Sequence, residues 1–275
     1  FPTLVQMEIG QQFLMLQIDK KITSDDLSIL IFKDRAAFCT LDQTLYFDLE
    51  KKNINSETLS TWFKYHNIKK KNNKCILFDN AGVIVPHKLF DEKNKNLYLS
   101  LSEDDLINKI IEAKIIKSSN QVFVFSQSKE LGLLLKDLEV NIEITHFAAE
   151  LIPYLTKIST ENLKKKVFIH LRKDYFDLFI YQGPQLLLYN SFPHKNEEEF
   201  LYYLFFVLEQ FYLKQNQFIV IFLGKFQNYQ KYYNAFKEFH TQTKFTYPEN
   251  LEIDVNHPAP FFNYFYNYEN NFRKI

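Results

Sequence analysis

Glycine is almost missing from this 275-residue sequence: there are five, with two cysteines, two methionines and one tryptophan. Loops that cradle phosphates and the sharp turns that expose a nucleophile need residues without a side chain where backbone meets ligand. Accordingly, no GxxxxGK[ST] loop, GxGxxG turn or Gly-x-Ser-x-Gly elbow occurs. Cys39 and Cys75 are too few to make a disulfide framework in a chain this long. Cys39 falls in a strand-like apolar run, where a free thiol behaves as a small hydrophobe. Charge of one sign is missing too. Lysine plus arginine (33) balances aspartate plus glutamate (33), which removes the broad electrostatic footprint of a nucleic-acid binder. The lysine runs at 69–71 and 164–166 lie between predicted elements and read as solvated connectors. His66, His87, His146, His170, His194, His240 and His257 never pair with one another or with cysteine at metal-ligand spacing. The longest apolar run, Phe200 to Leu208, falls far short of the roughly 20 residues of a membrane span. No basic segment, apolar run and cleavage site mark a signal peptide. The expectation is a cytoplasmic protein with no nucleic-acid partner and no membrane span.

What is abundant is aromatic: 29 Phe and 17 Tyr, in a chain 46% hydrophobic and 24% charged. An A/T-biased genome enriches Phe, Tyr, Lys, Asn and Ile together, so the aromatic count alone argues for no ligand. The length suits two domains, each with its own core, or one large domain.

The pattern along the chain alternates. Strand-like stretches at 13–18, 27–32, 36–41 and 45–49 form a meander, followed by a helix from Ser56 to about Asn67. Strands are expected at 75–78 and 83–85, the second stopped by Pro86. The Ser102 and Asp105 spacing resembles a helix cap, so a helix is expected to about Ile116. A strand at 122–125, a helix at 129–138, a strand at 141–145 and a helix carrying Phe147, Leu151 and Leu155 follow. The second half restarts with strands at 167–171, 176–181 and 185–189, then a helix at 196–214, a buried strand at 218–223 and a helix at 229–239. The 196–214 helix is apolar nearly all round, so either the rest of the chain or a partner must cover its second face. The tail from Pro260 to Phe272 poses the same choice: a docked final strand or an aromatic surface.

Two stretches echo each other. "LSILIFKDRAAFC" begins at Leu27 and "VFIHLRKDYFDLF" at Val167; at a spacing of 140 residues Ile29, Lys33 and Asp34 fall on Ile169, Lys173 and Asp174. Three antiparallel strands, a helix and a further strand, present twice, resemble the paired ribonuclease H-like domains of the actin-like ATPases. More narrowly, "LSILIFKDRAAFC", "GVIVPHKLF" and "YNSFPHKNEEEFLYYLFFVLEQFYL" with "IFLGKF" resemble an uncharacterised bacterial domain-of-unknown-function family assigned that fold. The resemblance implies an α/β protein with mixed five-stranded sheets flanked by helices. Its halves would be residues 1–160, with an insertion, and 161–275.

In actin-like ATPases the turn between the first two strands of each half approaches the nucleotide phosphates, with an Asp to organise the metal and a Gly to admit the oxygens. Here those turns read Phe32-Lys33-Asp34-Arg35 and Arg172-Lys173-Asp174-Tyr175, both without glycine. Where the adenosine site takes a glycine pair, this sequence offers only Gly224. The resemblance therefore implies a degenerate ATP site and a protein-binding or scaffold role, with no catalytic residue and no resident cofactor. Were Mg-ATP to bind, as in a divergent ATPase or small-molecule kinase, its contacts would be Lys33, Asp34, Lys173, Asp174 and Gly224. The plain alternative is that each Lys-Asp pair makes a polar hairpin turn.

Overall fold

The computed structural model describes residues 28–32, 35–39, 44–48, 73–100, 102–103, 105–137, 142–160, 164–214 and 217–246. The expected strand at 13–18, the helix at 56–67, the Lys33-Asp34 turn and the 260–272 tail lie outside them. The chain divides into two compact units, one of residues 1–81, 103–112 and 125–147, the other of residues 82–102, 113–124 and 148–275.

A five-stranded sheet runs in the order β3 (Thr44–Asp48), β2 (Arg35–Cys39), β1 (Ser28–Ile31), β4 (Asn73–Leu77), β8 (Ile142–His146). A second runs β11 (Gln185–Pro193), β10 (Tyr175–Gln182), β9 (Lys165–Leu171), β12 (Phe218–Leu223), β13 (Thr243–Thr246). In each sheet the three meander strands are antiparallel and the last two run parallel to the first. The hairpin registers agree as well. Ile29 faces Phe38 and Ile31 faces Ala36; at the 140-residue spacing, Ile169 faces Leu178 and Leu171 faces Phe176. A three-stranded sheet has the order β5 (Gly82–Pro86), β7 (Gln121–Ser128), β6 (Lys109–Ile116).

The helices are α1 (Lys95–Leu99), α2 (Lys129–Asp137), α3 (Phe147–Ser159), α4 (Glu197–Gln210) and α5 (Gln230–Lys237). One expectation fails here. Residues 109–116 form strand β6, not the end of a helix starting at Ser102. Asp105 Oδ1 instead accepts from the Ile107 N–H (3.0 Å), closing a local turn, and the run of β-branched isoleucines that follows fits a pleated surface. Helix α4 also stops earlier than its apolar pattern. Tyr212 takes a left-handed φ of 52°, Leu213 N–H donates to Leu208 O (2.9 Å) and Tyr212 N–H to Glu209 O (2.9 Å). That is a Schellman stop with tyrosine where glycine is usual.

At the start of α4, Asn196 Oδ1 accepts from Glu199 N–H (2.9 Å) and Glu199 Oε2 from Lys195 N–H (2.9 Å). Glu197, Glu198 and Glu199 thus serve the first turn and its dipole. The helix buries Phe200, Leu204 and Leu208 with Tyr232, Tyr233 and Phe236 of α5 against Val167, Ile169, Phe176 and Leu178 of the sheet. Each such large side chain contributes roughly 1.5–3 kcal/mol on removal from water. The opposite face of α4 leaves Tyr202 and Phe206 exposed at 66% and 52%. In the first unit Phe32, Phe78 and Phe147 stack in series with centroids 4.4 and 4.9 Å apart. Cys75 lies fully buried in β4, and burial pushes its thiol up to about 12, so it stays a protonated hydrophobe.

Candidate functional site

The β9–β10 turn is closed by the Arg172 N–H donating to Tyr175 O at 2.8 Å. Alternation along β9 sends Val167, Ile169 and Leu171 into the core, so His170 and Arg172 face the other way. Register then lines up a polar row, with Asp177 opposite His170 on one side and opposite Ser191 on the other. All of this lies behind the turn, in surroundings as dry as the core: His170 and Asp177 are fully buried and Arg172 is 5% exposed.

The row is held by charge. Arg172 grips Asp177 with two hydrogen bonds, Nε to Oδ2 at 2.8 Å and Nη2 to Oδ1 at 2.9 Å, and Nη2 also donates to Ser191 Oγ at 3.0 Å. His170 Nδ1 donates to Asp177 Oδ2 at 3.1 Å, since an ionised carboxylate only accepts. Burial alone would raise the Asp177 pKa. The Arg172 charge and the His170 contacts outweigh it and hold the group at about 2. Burial lowers His170, which is therefore neutral at pH 7. Arg172 also lies under Tyr175, its guanidinium 5.4 Å from the ring centroid.

His194 straps the turn from β11. Its N–H donates to Asp174 O (3.0 Å), and its Nε2 lies 3.2 Å from Arg172 O. A carbonyl only accepts, so Nε2 carries the proton and Nδ1 accepts from the Tyr232 hydroxyl at 3.1 Å. Burial lowers the His194 pKa, in keeping with this neutral tautomer.

Of the residues expected from sequence, Lys173 and Asp174 sit exposed at the tip of the turn, and Gly224 follows β12, the strand beside β9. Lys33 and Asp34 are outside the described residues. Gly224 is required by its backbone, with φ at 87° and its N–H donating to Thr246 O at 2.7 Å. The space beside it is taken: a Cβ there would come within 2.0 Å of the Phe226 ring. Phe226 is 3% exposed, and its N–H donates to the Tyr233 hydroxyl at 3.2 Å. Asp177, Ser191 and Phe226 carry no expectation from sequence, and His170 and His194 stand there only among histidines without metal-ligand spacing. Their signal is faint but present, in the polar residues that interrupt "IHLR" and "FDLF" at alternate positions.

This geometry, with two five-stranded sheets of one strand order, defines a mixed α/β protein of the actin-like ATPase fold. A Bacteroides thetaiotaomicron protein with actin-like ATPase fold and unknown function is similar at 22% identity and a TM-score of 0.70, over 80% of this chain and 90% of that one. A chain of the PilM-PilN type IV pilus biogenesis complex is similar at 10% identity and a TM-score of 0.56, over 90% of this chain and 98% of its own length. The chain belongs to the family described as protein of unknown function (DUF3822), whose match spans residues 10–243. No curated protein matches it.

Proposed function

We propose that the protein is an actin-like ATPase fold that has lost ordinary nucleotide chemistry and acts as a protein-binding or scaffold module. The observation that carries this reading is the inward turn of Arg172, the buried cation of the β9–β10 turn, which is committed to Asp177 on its two Oδ atoms beneath Tyr175. A phosphate would have to compete with that buried pair. Desolvated partners separate only at a cost of about 3–5 kcal/mol. The Phe226 ring over Gly224 supports the same reading, because it fills the space a close backbone approach by adenosine would need.

Duplication of a ribonuclease H-like half, with halves at 1–160 and 161–275, is part of this proposal. It is supported by the common strand order and by hairpin registers that repeat at the 140-residue spacing. A partner surface is suggested by the outer face of α4, where Tyr202 and Phe206 are exposed one helical turn apart. A chain of similar fold is found in the PilM-PilN complex, which supports a partner-holding use of this architecture. A cytoplasmic setting goes with the free thiol of Cys75 and with the lack, among the described residues, of any helix long and apolar enough to cross a membrane.

The competing reading, a divergent Mg-ATP-dependent ATPase or small-molecule kinase, draws on the exposure of Asp174 at the tip of the turn. Calorimetric titration with Mg-ATP separates the two. No saturable binding up to about 1 mM is expected, a limit of roughly −4 kcal/mol. Micromolar binding that Asp174→Ala weakens would establish the ATPase reading instead.

A further inference from the structure

The first unit carries a groove unrelated to the β9–β10 turn. It is an open groove of about 730 Å³ between β6, α2 and β8, a size common for small-molecule sites. Ile110, Leu135, Ile142 and Ile144 make its walls apolar. Gly132 of α2 lets helix and strand approach here, since a Cβ would stand 3.3 Å from Ile110 Cδ1.

Glu112 and Gln127 both line this groove. Gln127, 4% exposed, donates from Nε2 to Glu112 Oε1 at 3.3 Å. A carboxylate only accepts, so the amide cannot be turned the other way. Gln127 Oε1 is then left buried, with no hydrogen-bond partner among the described residues. Among those residues no cation pairs with half-buried Glu112 either. A buried acceptor left without a donor is destabilising.

The lysines along the groove do not offset this. Lys129 Nζ is engaged by Ile107 O at 2.7 Å, and both Lys129 and Lys136 are exposed. Exposed charges are screened over about 8–10 Å, whereas a half-buried carboxylate is screened less. The local demand is for a donor with positive charge on an apolar body.

We propose that this groove binds a small amphipathic ammonium: the apolar body lies against the isoleucine walls and the N–H groups satisfy Glu112 and Gln127 Oε1. Binding requires Gln127 to turn its oxygen slightly toward the groove. The site is independent of the nucleotide question.

The test uses phenethylammonium and its neutral counterpart 2-phenylethanol, each titrated into the full isotope-labelled chain and followed by NMR. Saturable shifts centred on Ile110, Gly132 and Ile144 are expected, with the ammonium binding at least about tenfold tighter than the alcohol. Glu112→Gln should remove that preference while leaving the weaker alcohol affinity in place. Gly132→Leu, which fills the groove, should abolish binding of both. Should that variant fail to fold, Leu133→Trp at the exposed rim serves in its place. No saturable binding, shifts centred elsewhere, equal affinity for the two probes, or a preference that survives Glu112→Gln would each overturn the proposal.

Discussion

At the β9–β10 corner a buried carboxylate is surrounded by donors: Asp177 accepts from Arg172 twice and from His170 once. In the groove of the other unit a carboxylate and an amide face each other, and Gln127 Oε1 stays without a partner. Both sites are lined by β-strand residues among large apolar side chains, yet both Asp177 oxygens are engaged by donors while the Gln127 oxygen beside the groove meets none. A buried charge that is fully paired reads as structure, and its neighbours lose their freedom to serve a ligand. A buried acceptor left over beside a groove reads as a place for a donor.

Breaking the closed side should give the largest effect. Asp177→Ala leaves the Arg172 guanidinium buried without its counter-ion, and urea unfolding should show a loss of about 3–5 kcal/mol. A loss under 1 kcal/mol would mean that water reaches Arg172. Next comes the filled space beside β12. Gly224→Ala places a Cβ against the Phe226 ring at a backbone conformation costly for alanine, and about 2 kcal/mol should be lost. Combined with Phe226→Leu, the two losses should be less than additive if the ring is the obstacle.

Acid gives an intermediate effect. The folded pKa of His170 is depressed, so below about pH 6.5 the unfolded chain binds a proton that the folded chain refuses. Stability should therefore fall as pH drops through 6.5, by up to about 1.4 kcal/mol per pH unit from this residue. His170→Gln, which still offers Asp177 a donor, should flatten that slope; an unchanged slope would place the titration elsewhere. The smallest effect belongs to the open side. Gln127→Leu removes a buried acceptor that had no donor, a gain, and the Nε2–Glu112 hydrogen bond with it, a loss; the two offset, so stability should move by no more than about 0.5 kcal/mol in either direction.

Much of this was legible in the residues themselves. The "RKDY" turn between two apolar runs and the repeat of its order 140 residues earlier predict the hairpins, and Phe218–Leu223 reads directly as a covered strand. The apolar run ending at Ile116 was ambiguous because Ile110 and Ile111 satisfy a helical stripe and a pleated strand alike, and only the local turn at Asp105 decides. Strand β13 is four residues with a single large apolar side chain, too short for a period. The polar row was hidden for a different reason. His170, Asp177 and Ser191 come from three strands, and register, which no local pattern states, brings them together.

The central claim is tested most directly by a crystal structure grown with a non-hydrolysable Mg-ATP analogue at millimolar concentration. The account predicts that Arg172 keeps its grip on Asp177, Phe226 stays over Gly224, and no triphosphate lies against the Lys173-Asp174 turn. A phosphate chain seated on that turn, with Phe226 swung aside, would contradict it.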